Sequence, residues 1–166
     1  MITLEALNRS SQADFIARLD GIYEHSPWIA ERVFAARPFA SRDALHAAMQ
    51  RTMHGASHDE QLALIRAHPE LLGKLEAAQL TEASRGEQAG AGLDRCTAAQ
   101  KSRMQALNQA YREKFGFPFI VAVKGLGWAG IIEHIEARLG NTREVEFATA
   151  LQEIGRIARF RLEALQ

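Results

Sequence analysis

Along this chain, side-chain oxygens stand where helically spaced apolar runs begin, and glycines stand where those runs end. That repetition limits the fold more than any other feature. Ser11 with Asp14 caps a run carrying Phe15, Ile16, Leu19 and Ile22. Ser26-Pro27 puts proline at a first helical position ahead of Trp28, Ile29, Val33 and Phe34. Ser41 opens a helix through Leu45, Ala48 and Met49 that Gly55 closes. Ser57 and Glu60 form a capping-box pattern, and Pro69 ends the following helix near His68 by disfavouring helical backbone in the residue before it. A second such pattern, Ser84-Arg85-Gly86-Glu87, precedes the glycine-rich stretch Ala89 to Gly92. Thr97 starts a long helix with Met104, Leu107 and Tyr111 on one face, stopped by Gly116. Gly127-Trp128 leads into Ile131, Ile132, Ile135 and Leu139, with Gly140 as the stop. Asn141 with Glu144 caps a last helix bearing Val145, Phe147, Leu151, Ile154, Ile157 and Leu162.

Strand signals are nearly absent. One short apolar run, Phe117 to Val123, fits a strand, an extended loop or a buried helix end. No repeat or low-complexity linker divides the chain, so residues 1–166 read as a single all-α domain, a multi-helix bundle. Its 166 residues suffice to bury about two-thirds of the unfolded surface in one core.

Charge restricts the partners. Twenty basic residues balance twenty acidic ones, which removes any bulk attraction to nucleic acid or an anionic membrane. No apolar stretch approaches the ~20 residues that cross a bilayer. The single cysteine, Cys96, reads as a packing residue and rules out an internal disulfide. The N-terminus lacks signal-peptide character and the C-terminus lacks a peroxisomal address, so a cytoplasmic protein is expected.

The polar chemistry is sparse. Of six histidines, His54 and His58 have a spacing that suits two ligands on one helix, but Gly55 and Ser57 break the helix between them, so no metal site is expected. His25, His46 and His134 lie in helical patterns with no partner signal. His68 sits where a helix must stop before proline. Local physics leaves two readings open: an imidazole bonding the last carbonyls of its helix, or one aimed with little conformational freedom into a cavity. Ser84 and Glu87 are explained by a capping box, whereas Gln88 has no such structural duty and suits an amide or ureide ligand. Phe115 to Ile120 reads either as core or as a wall whose backbone N–H groups face a flat heterocycle. No phosphate loop, Cys-x-x-Cys pair or nucleophile elbow supports a nucleotide cofactor, zinc or a covalent serine or cysteine mechanism.

Taken in order, several segments resemble a known family. These are Ala67-His68-Pro69-Glu70-Leu71, Leu80 to Gln88, Ala91-Gly92-Leu93, Lys114 to Ile120 with Gly125, Asn141 to Glu144, and Ile157 to Leu162. Together they are similar to the 2-oxo-4-hydroxy-4-carboxy-5-ureidoimidazoline (OHCU) decarboxylases over essentially the whole chain. The resemblance implies an all-helical homodimer that needs no cofactor and releases CO2 from a ureidoimidazoline to give S-allantoin in urate breakdown. It implies that His68 is the catalytic histidine and Glu87 its carboxylate partner. It places Pro69, Ser84, Arg85, Gly86 and Gln88 in substrate-contacting segments, along with Phe119, Ile120, Val121, Ala122 and Val123. Arg161 matches an arginine expected near the substrate carboxylate, with Arg159 as its rival. The chain has no room for a transthyretin-like hydrolase domain, so decarboxylation alone is expected of it, in a bacterial-type cytosolic setting.

The residue types suit that chemistry. Loss of CO2 next to an electron-accepting imidazoline leaves an enolate-like intermediate, and one proton must then reach a single face. A histidine beside a carboxylate is equipped for that transfer. Three rivals remain at this level: another ureide lyase or hydrolase, a binding module for allantoin-like ligands, and a purely structural helical dimer.

Overall fold

The structure, a computed structural model, describes residues 2–73 and 80–165. Among these residues there are nine α-helices and no strand. They are α1 (Leu4–Arg9), α2 (Gln12–Arg18), α3 (Trp28–Val33), α4 (Arg42–His54), α5 (His58–Ala67), α6 (Glu82–Gly90), α7 (Ala98–Phe115), α8 (Trp128–Arg138) and α9 (Arg143–Ala164). Short 3-10 turns cover Phe34–Ala36 and Leu93–Arg95.

Most helix ends follow the local signals. The Ser11 and Ser41 hydroxyls accept from Asp14 and Ala44 N–H at 3.2 and 3.0 Å. Ser57 and Glu60 form the reciprocal box, as do Thr97 and Gln100. Pro27 has helical dihedrals, consistent with a first-turn proline. Gly116 ends α7 at φ +79, a left-handed conformation that glycine adopts without steric cost.

Four expectations change. Helix α6 starts before Ser84: Thr81 is its N-cap, its hydroxyl accepting from Ser84 N–H at 3.2 Å, so Ser84 lies inside the helix. The last helix is capped by Thr142 rather than Asn141, whose side-chain amide instead donates to Glu146 at 2.9 Å. Val145 faces outward, because the cap shift and the following turn place Glu146 inward in its stead. His25 is not helical. It occupies the turn between α2 and α3 with φ +47. The segment from Phe117 to Val123 proves to be an extended, buried loop.

The chain divides into two compact units, Met1–Ala67 with Ile154–Gln166, and His68–Glu153. In the first, Phe15, Ile29, Leu45, Met49, Met53, Leu64 and Ile65 are fully enclosed. Phe15 meets Phe34 edge-on and stacks on Phe39. Its polar ties serve helix ends. Arg37 donates to the carbonyls of Leu7, Asn8 and Ser10, and Arg42 to those of Leu162 and Leu165. His46 Nε2 lies 2.9 Å from the Gly155 carbonyl, a partner its sequence context did not announce.

The second unit is built on α7. Met104, Asn108, Tyr111 and Phe115 form its buried stripe at spacings of four, three and four. The Tyr111 ring contacts Phe115, Phe117 and Phe119, with centroids 4.5, 6.1 and 5.4 Å away. Thus Tyr111 of α7 anchors the start of the extended loop through Phe117 and Phe119.

Candidate active site

His68 is the first residue beyond α5, followed by Pro69, and only 6% of its surface is exposed. Among the described residues it is the one buried histidine. His54 and His58 lie exposed on either side of the helix break, as their sequence context required.

The turn after His68 is tethered residue by residue. Glu70 pairs with Arg112 of α7. The Leu71 carbonyl accepts from Asn108 Nδ2 at 2.8 Å in a buried contact. Leu72 N–H donates to Gln88 Oε1 at 3.2 Å, while its carbonyl accepts from Gln105 Nε2 at 3.3 Å. Leu72 has φ +50, uncommon for a residue with a side chain, and these two bonds hold it there. Gln88 therefore does have a structural duty: it fastens α6 to the His68 turn.

Helix α6 sorts the expected residues by face. Ser84, Glu87 and Gln88, at i, i+3 and i+4, share one side, with Ser84 and Gln88 buried and Glu87 half-buried. Arg85 and Gly86 are exposed, and with Gln88, Ala89 and the turn residues Glu70 and Leu72 they line a cavity of about 790 Å³. Thr81, not Ser84, is the N-cap, so the expected box with Ser84 as cap is not the one that forms.

The loop from Phe119 to Val123 is nearly closed to solvent, with residue exposures of 1 to 6%. Among the described residues, no acceptor takes up its N–H groups. Buried N–H groups lacking protein acceptors are rare, which is the arrangement a heterocycle-binding wall requires. The loop is gripped from behind by groups that the sequence reading missed. Arg138 Nη1 donates to the Ile120 carbonyl at 2.5 Å, and its guanidinium lies 4.6 Å from the Phe119 ring. Arg138 Nε donates to Glu146 Oε1 at 2.7 Å, and Tyr111 OH donates to the same oxygen at 2.6 Å. Burial, reinforced by that bond to a carboxylate, pushes the Tyr111 phenol well above its ordinary range. One signal was available: Arg138 continues the buried Ile131–Ile135 stripe, and Asn108 sits between Met104 and Tyr111.

Pro69, half-buried, joins His68 to this tethered turn. Arg161 belongs to the other unit, where it is buried, donating to Glu24 Oε1 at 3.0 Å and to the Gly21 carbonyl at 2.7 Å. Arg159 is exposed and pairs with Asp43 and Glu163. Cys96 is half-buried, and burial raises its thiol pKa, away from a reactive thiolate.

Comparison with known proteins bears directly on this site. The family model described as OHCU decarboxylase matches residues 8–163. A 2-oxo-4-hydroxy-4-carboxy-5-ureidoimidazoline decarboxylase of Halalkalicoccus jeotgali is 45% identical over 99% of this chain and 92% of its own length. A uric acid degradation bifunctional protein of a Bacillus species is 41% identical over 99% of this chain, which spans 32% of that longer protein. Among solved structures, an (S)-allantoin synthase superposes with a TM-score of 0.79 at 31% identity, over 99% of this chain and 54% of the other.

Proposed function

The chain belongs to the OHCU decarboxylase family, and within it we propose that His68 carries the proton, Glu87 orients the imidazole and residues 119–123 seat the heterocycle. The family's reaction is this chain's: decarboxylation of 2-oxo-4-hydroxy-4-carboxy-5-ureidoimidazoline to (S)-allantoin in urate breakdown. The match over residues 8–163 supports reading both units as one catalytic domain.

One observation carries the assignment of roles. The face of α6 bearing Ser84, Glu87 and Gln88 is fastened by Gln88 to the turn that follows His68. Two segments far apart in sequence are thereby held in fixed register, which is what proton transfer to one face demands.

The chemistry then follows from the substrate. The carbon–carboxylate bond breaks, its electron pair enters the imidazoline C=N system, and CO2 leaves. The ring nitrogen that received the pair takes a proton from solvent, while His68 takes the neighbouring hydroxyl proton as the enol collapses to a carbonyl and returns a proton to the ureido carbon from one side. Backbone N–H groups of the 119–123 wall meet the negative charge as it develops. Ser84, Gln88 and Pro69 border the substrate, with Arg85 and Gly86 lining the cavity. The assignment of Arg161, with Arg159 as its rival, to the substrate carboxylate rests on the family resemblance alone. The imidazoline is itself the electron sink, so this route needs no metal or cofactor.

We read the active species as a cytoplasmic homodimer, a setting with which the unpaired Cys96 agrees. No helix among the described residues is long and apolar enough to cross a membrane.

The test generates the unstable ureidoimidazoline in situ from urate and follows optical activity. Wild-type protein should speed the appearance of dextrorotatory allantoin, and His68→Asn should lower the rate by about 10²–10⁴-fold, leaving racemic product. Wild-type protein without effect on rate or handedness would overturn the assignment. Glu87→Gln that lowers thermal stability but leaves the rate unchanged would return Glu87 to a structural role.

A further inference from the structure

Buried in the second unit is an ion pair that the mechanism above does not use. Arg138 and Glu146 have side chains 9% and 0% exposed, with Nε 2.7 Å from Oε1. Every group around it is accounted for. Glu146 Oε1 also accepts from Tyr111 OH at 2.6 Å, Oε2 accepts from Asn141 Nδ2 at 2.9 Å, and Arg138 Nη2 lies 3.5 Å from Tyr111 OH. A buried pair is weak evidence for stability, since an apolar replacement of similar volume is often as stable. What this pair does have is a single outward contact of consequence, from Arg138 Nη1 to the carbonyl of Ile120 at 2.5 Å.

That carbonyl belongs to a planar trans peptide, whose C=O and N–H point in opposite directions. Fixing the Ile120 carbonyl toward Arg138 therefore fixes the Val121 N–H away from it. Val121 is 5% exposed, and among the described residues no acceptor takes up its N–H. The Phe119 ring, against the guanidinium at 4.6 Å, limits rotation on the preceding side. We propose that Arg138, braced by Glu146, Tyr111 and Asn141, is a positioning residue that aims the Val121 N–H at the substrate. This rests on the reading of residues 119–123 as the heterocycle wall. It assigns one peptide of that wall the donor role and names the side chains that orient it.

The experiment follows the Val121 amide by nitrogen-15 NMR during titration with (S)-allantoin, in wild type, R138K and R138Q, with steady-state kinetics on the same proteins. In wild type the Val121 resonance should move on binding. In R138Q, which cannot brace both Glu146 and the carbonyl, the shift should be lost and KM for the ureidoimidazoline should rise about tenfold, with kcat falling less. R138K keeps the buried charge, guarding against a variant that does not fold, and should restore part of the shift. A merely structural pair would lower thermal stability in both variants while leaving the Val121 shift and KM intact, and that result overturns the proposal. If Val121 fails to move in wild type, the wall reading itself is wrong and this inference falls with it. A shift equal in wild type and both variants leaves the wall standing and removes Arg138 from it.

Discussion

Replacing Asn108 by alanine isolates the tether that fixes the His68 turn. Asn108 is 3% exposed, and its Nδ2 donates to the Leu71 carbonyl at 2.8 Å. Its loss leaves that carbonyl without this donor, a penalty of about 1–3 kcal/mol for a buried group. An offset acts in the other direction. Asn108 Oδ1 is buried and, among the described residues, has no hydrogen-bond partner, so removing it relieves part of the cost. The net loss should be about 1.5 kcal/mol, or roughly 3–6 °C in melting temperature for a chain of this size. Gln105 provides the comparison, because its bond to the Leu72 carbonyl is longer, at 3.3 Å, and only part-buried. Gln105→Ala should cost less than about 0.5 kcal/mol. Paired thermal melts and allantoin-forming assays under saturating substrate read both effects. Asn108→Ala should also lower turnover and weaken the excess of one enantiomer if His68 carries the proton as proposed, because it frees the turn that follows His68. Equal losses from the two substitutions, or an Asn108→Ala protein with unchanged melting and turnover, would refute the tether.

Three further outcomes follow from particular contacts. Thr81→Ala should cost about 1 kcal/mol and speed amide exchange in the first turn of α6, whereas Ser84→Ala should not fray that turn; the reverse pattern would restore Ser84 as the cap. The native fold should weaken as pH rises above about 10, where the unfolded chain gives up its tyrosine protons while native Tyr111, raised by burial and by Glu146, retains its own; Tyr111→Phe should flatten that part of the urea-midpoint profile measured from pH 8 to 11, and an identical slope would dismiss the coupling. Glu24→Gln removes the anion paired with buried Arg161 at 3.0 Å and should destabilise by about 3–5 kcal/mol in chemical denaturation; a cost under about 1 kcal/mol would mean that Arg161's charge is compensated elsewhere.

What could be read without coordinates was whatever is decided within a turn or two of the backbone. Serine and threonine caps, glycine stops and apolar spacing are local, so the all-α class, the end of α5 at Ala67 and the span of α7 were legible from residue order. The ordered blocks around His68 and Glu87 identified the family, although no single block did so by its own physics. Tertiary structure decided everything that depends on which face meets which neighbour. Thr81 and Ser84 are both competent caps, and the choice between them went to the one that leaves Ser84 in the buried face. The charges of Arg138 and Glu146 and the amide of Asn108 read as solvent-facing by type, yet each is enclosed because a partner three-dimensionally adjacent satisfies it. Val145 fits the apolar spacing of α9 and still faces water, since a neighbouring position fills the interior. That α6 and the His68 turn border one cavity comes from helical geometry combined with one hydrogen bond, Leu72 N–H to Gln88. Partner choice is a long-range property, and a linear pattern holds only half of each pair.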